Sequence, residues 1–247
     1  MEAFSSGNQS ATITVRFATK EFSASPEQVV RYAAGVGYKM DLMTSKAVSA
    51  AIHRAKDLIA PAVAYAVHPV RSLSEKGEMM LQNGFSLLVP PSEQDPQSRF
   101  MFAAVCTLGP ALETACRKLT EQRAFFSSLL LDATGVALLE TLGQRVYALS
   151  CKLAYKEHVS CGRQFAPGYG KMPLSCQDML FQLVDGNAVG VRLNQSLIMR
   201  PSKSISFFTR WTSQSALRTD GYKCSACDLS TCRFRKNTLS SFSPPPF

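Results

Sequence analysis

The segment 162–170 (GRQFAPGYG), with Pro173 shortly after it, combines a fixed cation, a rigid turn and an aromatic side chain. Proline fixes its own φ angle, and the glycines on both sides of Tyr169 permit backbone angles that other residues avoid, so a ligand can lie against the chain here. Arg163 can offer a carboxylate two parallel N–H donors. The segment therefore predicts a loop that grips a ligand. The alternative is an ordinary tight turn that uses Pro-Gly for its geometry alone.

A second group of reactive side chains forms a Cys-x2-Cys-x4-Cys array of Cys224, Cys227 and Cys232. Such spacing suits thiolate ligation of zinc or of an iron–sulfur cluster, with Cys161, Cys176 or an external ligand as the fourth. The alternatives are a zinc knot that only pins the C-terminal segment, and reduced thiols without a metal. The array predicts a metal site of unspecified metal.

Two acids lie within the apolar, helix-forming stretch 124–153, at Asp132 and Glu140. An acid in such a helix must face solvent or meet a partner, because an unpaired buried charge is costly. Solvent exposure or structural pairing is one reading of these carboxylates. Contact with a cationic ligand is the other.

Composition restricts the class of protein. The chain has 247 residues, of which 46% are hydrophobic and 18% are charged, which is typical of a globular protein. Its apolar runs are shorter than the roughly 20 residues that a membrane-spanning helix needs, and the N-terminus lacks the features of a secretory signal. The net charge of +9 indicates a basic surface that favours an acidic protein partner, and no Lys/Arg run with interleaved aromatics suggests nucleic acid binding.

Hydrophobic periodicity and turn residues predict elements that alternate between strand and helix along most of the chain. The predicted strands are 11–17, 62–70, 100–108, 189–199 and 204–212, the last two as an antiparallel pair, with short apolar runs at 79–81 and 85–89 around a turn. One predicted helix begins at Pro26, and four more cover 45–60, 111–119, 124–153 and 175–183. Ser175 is predicted to cap the last of them. The long helix 124–153 is expected to be the buried spine of the core.

Several of these segments resemble one known family. The Arg-x3-Pro-Gly-Tyr-Gly loop, the helix after it and VGVRLNQSLIMRPSKSISFF (189–208) are similar to the activation domain of cobalamin-dependent methionine synthase, and to free-standing proteins related to it. The segments VCTLGPALETACRKL (105–119), SLLLDATGVALLETLGQRV (128–146) and RYAAGVGYK (31–39) extend the resemblance over roughly residues 28–235. The resemblance implies an α+β fold, a twisted and mainly antiparallel sheet with long packed helices.

The same resemblance implies a function. In that family the domain binds S-adenosylmethionine and presents it to an oxidised, inactive cobalamin, so that one-electron reduction and methyl transfer to cob(I)alamin restore methylcobalamin. Carried over, Arg163 would hold the methionyl carboxylate, Ala166 and Gly168 would contact the ligand through their backbone, and Tyr169 would sit near the corrin as the catalytic aromatic. Glu140 or Asp132 would face the sulfonium. Cobalamin would come from a partner, because its axial histidine motif is missing from this sequence.

These expectations give a division of the chain into segments, a set of partners and two alternative functions. Residues 1–24 form an N-terminal segment with a leading strand, 25–215 the core, 216–236 the Cys-rich segment and 237–247 a disordered tail. The expected partners are a corrinoid protein, or a methionine synthase lacking its own activation domain, and an electron donor protein, all in the cytoplasm. The alternatives are a non-catalytic module that binds a corrinoid protein, and a small metal or iron–sulfur redox protein that acts through its C-terminal cysteines.

Overall fold

A computed structural model describes residues 11–35, 37–88, 98–169 and 172–213, together with residues 232 and 234. Its strands are β1 Ile13–Arg16, β2 Ala62–Leu73, β3 Glu78–Leu81, β4 Ser86–Leu88, β5 Ser98–Thr107, β6 Ser160–Phe165, β7 Arg192–Leu193, β8 Met199–Arg200 and β9 Ser204–Thr212. Its helices are α1 Pro26–Ala34, α2 Leu42–Lys56, α3 Ala111–Glu121, α4 Phe125–Lys156 and α5 Cys176–Leu183, with short 3-10 turns at Thr19–Glu21 and Gly186–Val189. The predicted tail 237–247, Cys224 and Cys227 lie outside the described residues.

Seven of the described strands form one antiparallel sheet, six of them in the order β4-β3-β2-β5-β9-β6 and the seventh, β1, paired with β2. The twelve-residue β2 is long enough to pair with two neighbours on the same edge. Its first half takes β1 (Ile13 opposite Tyr65), and its second half takes β3 (Val70 opposite Leu81). The strand β9 lies between β5 and β6. The α+β class and the antiparallel sheet expected from the sequence are confirmed.

Side chains of the sheet alternate between two apolar cores, because successive residues of a strand point to opposite faces. On the face that we call the helical face, α1, α2, α3 and α4 cover Val63, Tyr65, Val67, Phe102, Phe207 and Trp211. On the face that we call the second face, α5 and the β3–β4 hairpin cover Ala62, Ala64, Ala66, Met101, Ala103 and Phe208. Both faces of the sheet are therefore buried against other elements.

The helix α4 is the spine of the helical face, as its apolar composition predicted. It has the length and hydropathy of a membrane helix, but 56% of its most apolar window is buried within the protein, which makes it a core helix. Gly143 lets α4 approach the sheet closely, since a Cβ there would lie 2.8 Å from Cδ1 of Ile205. The helix α1 begins where predicted, with a capping box in which Ser25 and Gln28 exchange hydrogen bonds of 2.9 and 3.2 Å.

Three local predictions are wrong. Segment 160–165 is the edge strand β6, whereas the sequence suggested that the loop begins at Gly162. Segment 189–199 contains two short strands, β7 and β8, that pair with each other around a turn at Asn194, while β9 pairs with β5 and β6. Ser175 is in a helical conformation and its side chain makes no capping hydrogen bond, so it does not cap α5.

Candidate ligand-binding site

Arg163 lies on the edge strand β6, at a bulge opposite β9. Cys161 pairs with Trp211 and Gln164 with Thr209, so two residues of β6 face the single residue Arg210 between them. A bulge of this kind redirects side chains at a sheet edge. The guanidinium carbon of Arg163 lies 5.0 Å from the ring centroid of Phe165, on the second face of the sheet.

The aromatic support under Arg163 is rigid. Phe165 is buried and stacks on Phe208 of β9, with ring centroids 5.1 Å apart and planes inclined by 16°. A guanidinium over an aromatic face keeps its charge and its planar array of donors. The stack therefore holds a half-buried cation at the start of the turn that follows β6.

That turn closes through its own backbone. The N–H groups of Gly168, Tyr169 and Met172 donate to the carbonyls of Met172, Ala166 and Tyr169, at 3.0, 3.1 and 3.1 Å respectively. Gly168 has a φ of +82°, which glycine adopts without strain. The sequence was right to place a tight turn here, and Tyr169 is 60% exposed on it.

These internal bonds define the chemistry that the turn offers. The N–H groups of Gly168 and Tyr169 are engaged within the turn, and so are the carbonyl oxygens of Ala166, Tyr169 and Met172, although each carbonyl oxygen can accept a second hydrogen bond. Acceptors suit the ammonium and amino groups of a ligand, whereas Arg163 suits its carboxylate. A cation on β6 and backbone acceptors in the turn after it are the groups that an amino-acid zwitterion would need.

A small apolar cavity of about 10 Å³, room for roughly one water molecule, lies next to the turn on the second face. Met172 at the end of the turn and Phe208 beneath Phe165 are both part of its wall. The remaining lining residues come from β4, β5 and α5: Leu87, Met101, Ala103, Cys176, Met179, Leu180 and Leu183. The cavity is too small for a ligand and belongs to the packing of the second face.

The helix α4 fixes β6 from the helical face. Tyr147 donates its hydroxyl proton to the carbonyl of Gly162 at 3.2 Å. Ser150 accepts a hydrogen bond from Nε1 of Trp211 at 2.9 Å and shares one with the hydroxyl of Thr209 at 2.7 Å. The strand that carries Arg163 is thus tied to the buried spine of the protein.

Arg210 is a candidate site residue that the sequence reasoning missed. It is 1% exposed, its Nη1 donates to the hydroxyl of Ser98 at 3.0 Å, and the register places it across from Arg163. The alternation of β9 contained the signal, because Arg210 shares the face of the buried Phe208 two residues earlier. Two arginines therefore neighbour each other across the β6–β9 pair.

The two candidate acids lie elsewhere. Glu140 accepts hydrogen bonds from Arg31 at 2.9 Å and from the hydroxyl of Tyr32 at 2.8 Å, which joins α4 to α1 on the helical face. Asp132 accepts one from Lys203 at 2.6 Å. The structure thus gives both carboxylates structural pairing and places Glu140 away from the second-face stack that holds Arg163. Contact of Glu140 with a ligand stays a prediction.

Burial and the negative charge of Glu140 raise the pKa of Tyr32 well above its usual value. The phenol therefore stays protonated and can donate to the carboxylate of Glu140. This half-buried ion pair and the phenol join α1 to α4.

Only part of the predicted metal site lies within the described residues. Cys232 is described and half-buried, while its predicted co-ligands Cys224 and Cys227 are outside the described residues. The described part of the chain contains no group of three or more His, Cys, Asp or Glu side chains that could hold a metal ion. Cys161 is buried against α4 and Cys176 borders the second-face cavity, so they lie on opposite faces of the sheet. The metal site stays a prediction.

Comparison with known proteins supports the fold. No family model matches the sequence, and no curated protein matches it either. Among solved structures, the MetH reactivation domain bound to AdoHcy has the same fold, with a TM-score of 0.64 over 88% of this chain and 83% of that one. Because the sequence identity is only 10%, this structural match establishes a shared fold and no more.

Proposed function

We propose that this chain binds S-adenosylmethionine at the turn between β6 and α5, and that it supports the reductive reactivation of a corrinoid methyltransferase held on another protein. The observation that carries the proposal is the position of Arg163. Its guanidinium lies over the Phe165 ring, just before a turn that is closed by backbone hydrogen bonds, in a fold shared with a reactivation domain bound to AdoHcy.

Each part of the site has a role in this proposal. Arg163 binds the methionyl carboxylate through two parallel N–H groups. The carbonyl oxygens of Ala166 and Gly168 accept hydrogen bonds from the ammonium and adenine amino groups. The exposed ring of Tyr169 covers the ligand on the side where a corrinoid protein would dock.

Orientation is the main contribution of this chain to the reaction. When bound, the sulfonium supplies a methyl group that can pass to a strongly nucleophilic reduced corrinoid. A turn closed by three backbone hydrogen bonds holds its shape before the ligand arrives, so positioning the methyl group requires little reorganisation. The corrinoid protein and an electron donor protein are the partners that this function requires.

Isothermal titration calorimetry with S-adenosylmethionine and S-adenosylhomocysteine tests the proposal. A charge-assisted bidentate contact contributes about 1.5–3 kcal/mol, so we expect Arg163→Ala to weaken binding roughly ten- to hundredfold. Arg192→Ala is the matched control, because Arg192 is an exposed arginine whose Nε donates to Asn187 at 2.9 Å, in a different hairpin. We expect this control to bind like the wild type.

Titration with a cobalamin-loaded partner separates the proposal from its rival. A module that only binds a corrinoid protein would dock on that partner without taking up S-adenosylmethionine, and Arg163→Ala would change neither property. Equal affinity of Arg163→Ala and wild type for S-adenosylmethionine would refute the role of Arg163. Absence of binding to the wild type would refute the methyl-donor function.

A further inference from the structure

The helices α3 and α4 form a hairpin whose closed end extends beyond the sheet. Lys203 lies just before β9, and its Nζ donates to Asp132 at 2.6 Å, so the part of α4 before Asp132 runs past that end of the sheet. At about 1.5 Å per residue, Phe125 lies about 10 Å farther out than Asp132. We call residues 117–129, at this closed end, the hairpin tip.

Hydrogen bonds between the two helices fix the shape of the hairpin tip. Ser128 donates its hydroxyl proton to the carbonyl of Cys116 at 2.9 Å. The N–H of Ala124 donates to the carbonyl of Leu119, also at 2.9 Å. Arg123 has a φ of +61° where the chain reverses between the helices. The tip is therefore held in one shape by the fold.

Three apolar side chains of the hairpin tip lie open to solvent. Phe125, Phe126 and Leu129 are 61%, 55% and 47% exposed. Residues three and four apart share one face of a helix, so Leu129 adjoins both rings and the three side chains form one stripe. A contiguous apolar group on an ordered surface marks a site of contact with a protein or a membrane.

Cations stand at the same height as the two phenylalanines. The two hydrogen bonds between the helices align Arg117 and Lys118 with the first turn of α4, and Arg123 lies in the connection. All three of these side chains are exposed, and Glu121 is the one acid within residues 117–129. Three cations and one acid give the hairpin tip a net charge of +2 beside its apolar stripe.

We propose that the hairpin tip binds the surface of an anionic phospholipid bilayer, with Phe125, Phe126 and Leu129 in the headgroup region and the three cations against the lipid anions. Phe and Leu beside Lys and Arg are typical of protein surfaces that lie on such a bilayer.

The shape and charge of the hairpin tip favour a lipid surface over other occupants. A fluid lipid surface needs no matching pocket, so a projecting tip can bury its apolar stripe there. Anionic headgroups complement the net positive charge of the tip. A second copy of this chain is a poorer occupant, because a symmetric contact brings the same cations against each other.

Sedimentation with lipid vesicles tests the proposal on the full-length protein. We expect the wild type to sediment with vesicles of phosphatidylcholine that contain about 30% phosphatidylserine, and to stay in solution with phosphatidylcholine alone. Added salt should weaken the binding, because it screens exposed charges. Phe125→Ala with Phe126→Ala should weaken it by about tenfold or more, since two buried rings are lost. The matched control, Leu42→Ala with Met43→Ala, removes two exposed apolar side chains from the start of α2 and should bind like the wild type.

A charge variant tests the cations of the hairpin tip separately. Arg117→Gln, Lys118→Gln and Arg123→Asn together should weaken binding roughly a hundredfold, about fivefold for each cation, with circular dichroism to confirm that every variant is folded. If the wild type does not sediment with the anionic vesicles, the proposal is overturned and an acidic protein surface is left as the occupant. Equal binding by the Phe variant and its control would also overturn it. So would a dimer in light scattering that Phe125→Ala with Phe126→Ala abolishes, because the tip would then join two copies.

Discussion

The buried hydroxyl of Ser150 offers a quantitative test of how α4 holds the strand β9. It is 0% exposed and it bonds to two side chains of β9, the indole N–H of Trp211 at 2.9 Å and the hydroxyl of Thr209 at 2.7 Å. Ser150→Ala keeps the helix and removes one oxygen. The indole N–H is then left in an apolar core without its acceptor, because Trp211 is itself 0% exposed.

The expected cost follows from that unpaired donor. A buried polar group left without a partner costs about 1–3 kcal/mol. The hydroxyl of Thr209 keeps a sulfur neighbour, Cys161 at 3.7 Å, so the indole accounts for most of the loss. We expect Ser150→Ala to lower the free energy of unfolding by about 2 kcal/mol and the Tm by about 4–8 °C for a chain of this size.

Urea unfolding followed by circular dichroism measures this loss, with an unchanged m-value as the sign that only stability has changed. Thr134→Val is the matched control on the same helix. Thr134 is also 0% exposed, but its hydroxyl donates only to the carbonyl of Leu130 at 2.7 Å, so its removal orphans no other side chain. A loss below about 0.5 kcal/mol for Ser150→Ala, or an equal loss for both variants, would refute the reasoning.

Two further predictions concern packing and pH. Gly186→Ala should destabilise the protein by about 1–3 kcal/mol in urea unfolding, since its Cβ would lie 2.9 Å from the backbone carbonyl oxygen of Val191 and 2.6 Å from Cε1 of Phe181, and an unchanged or stabilised variant would contradict this. Burial lowers the pKa of His68, whose Nε2 donates to the carbonyl of Leu183 at 3.0 Å, so the unfolded state takes up the proton first. Stability should therefore fall as pH drops below 6.5. His68→Gln should remove this dependence in unfolding experiments across that range.

The sequence predicted the large elements well, because their signals are local. The apolar repeat of α4, the Ser-Pro-Glu start of α1 and the continuous apolar run of β5 each identify one kind of structure. Prediction from the sequence failed where the pairing of strands decides the structure. The strand β6 (SCGRQF) has a glycine, an arginine and a glutamine in six residues, and only its ladder with β9 makes it a strand.

The site shows the same division. The turn around Gly168 could be predicted from residue types and spacing, and the resemblance to the activation domain supplied a ligand to expect, while the role of Arg163 stays a prediction. The burial of Arg210 could be predicted from the alternation of β9, but its position opposite Arg163 could not, because that position depends on the register of β6 and β9. The pairing of Glu140 with Arg31 and Tyr32 could not be predicted from the sequence either, since it joins residues more than a hundred positions apart.

A crystal structure of the protein with S-adenosylhomocysteine tests the central claim most directly. We expect the ligand at the turn between β6 and α5, with its carboxylate in two hydrogen bonds of about 2.7–2.9 Å to the guanidinium of Arg163. We also expect its amino groups on carbonyl oxygens of the turn. A ligand bound at another place, or a carboxylate held by residues other than Arg163, would contradict the proposed function.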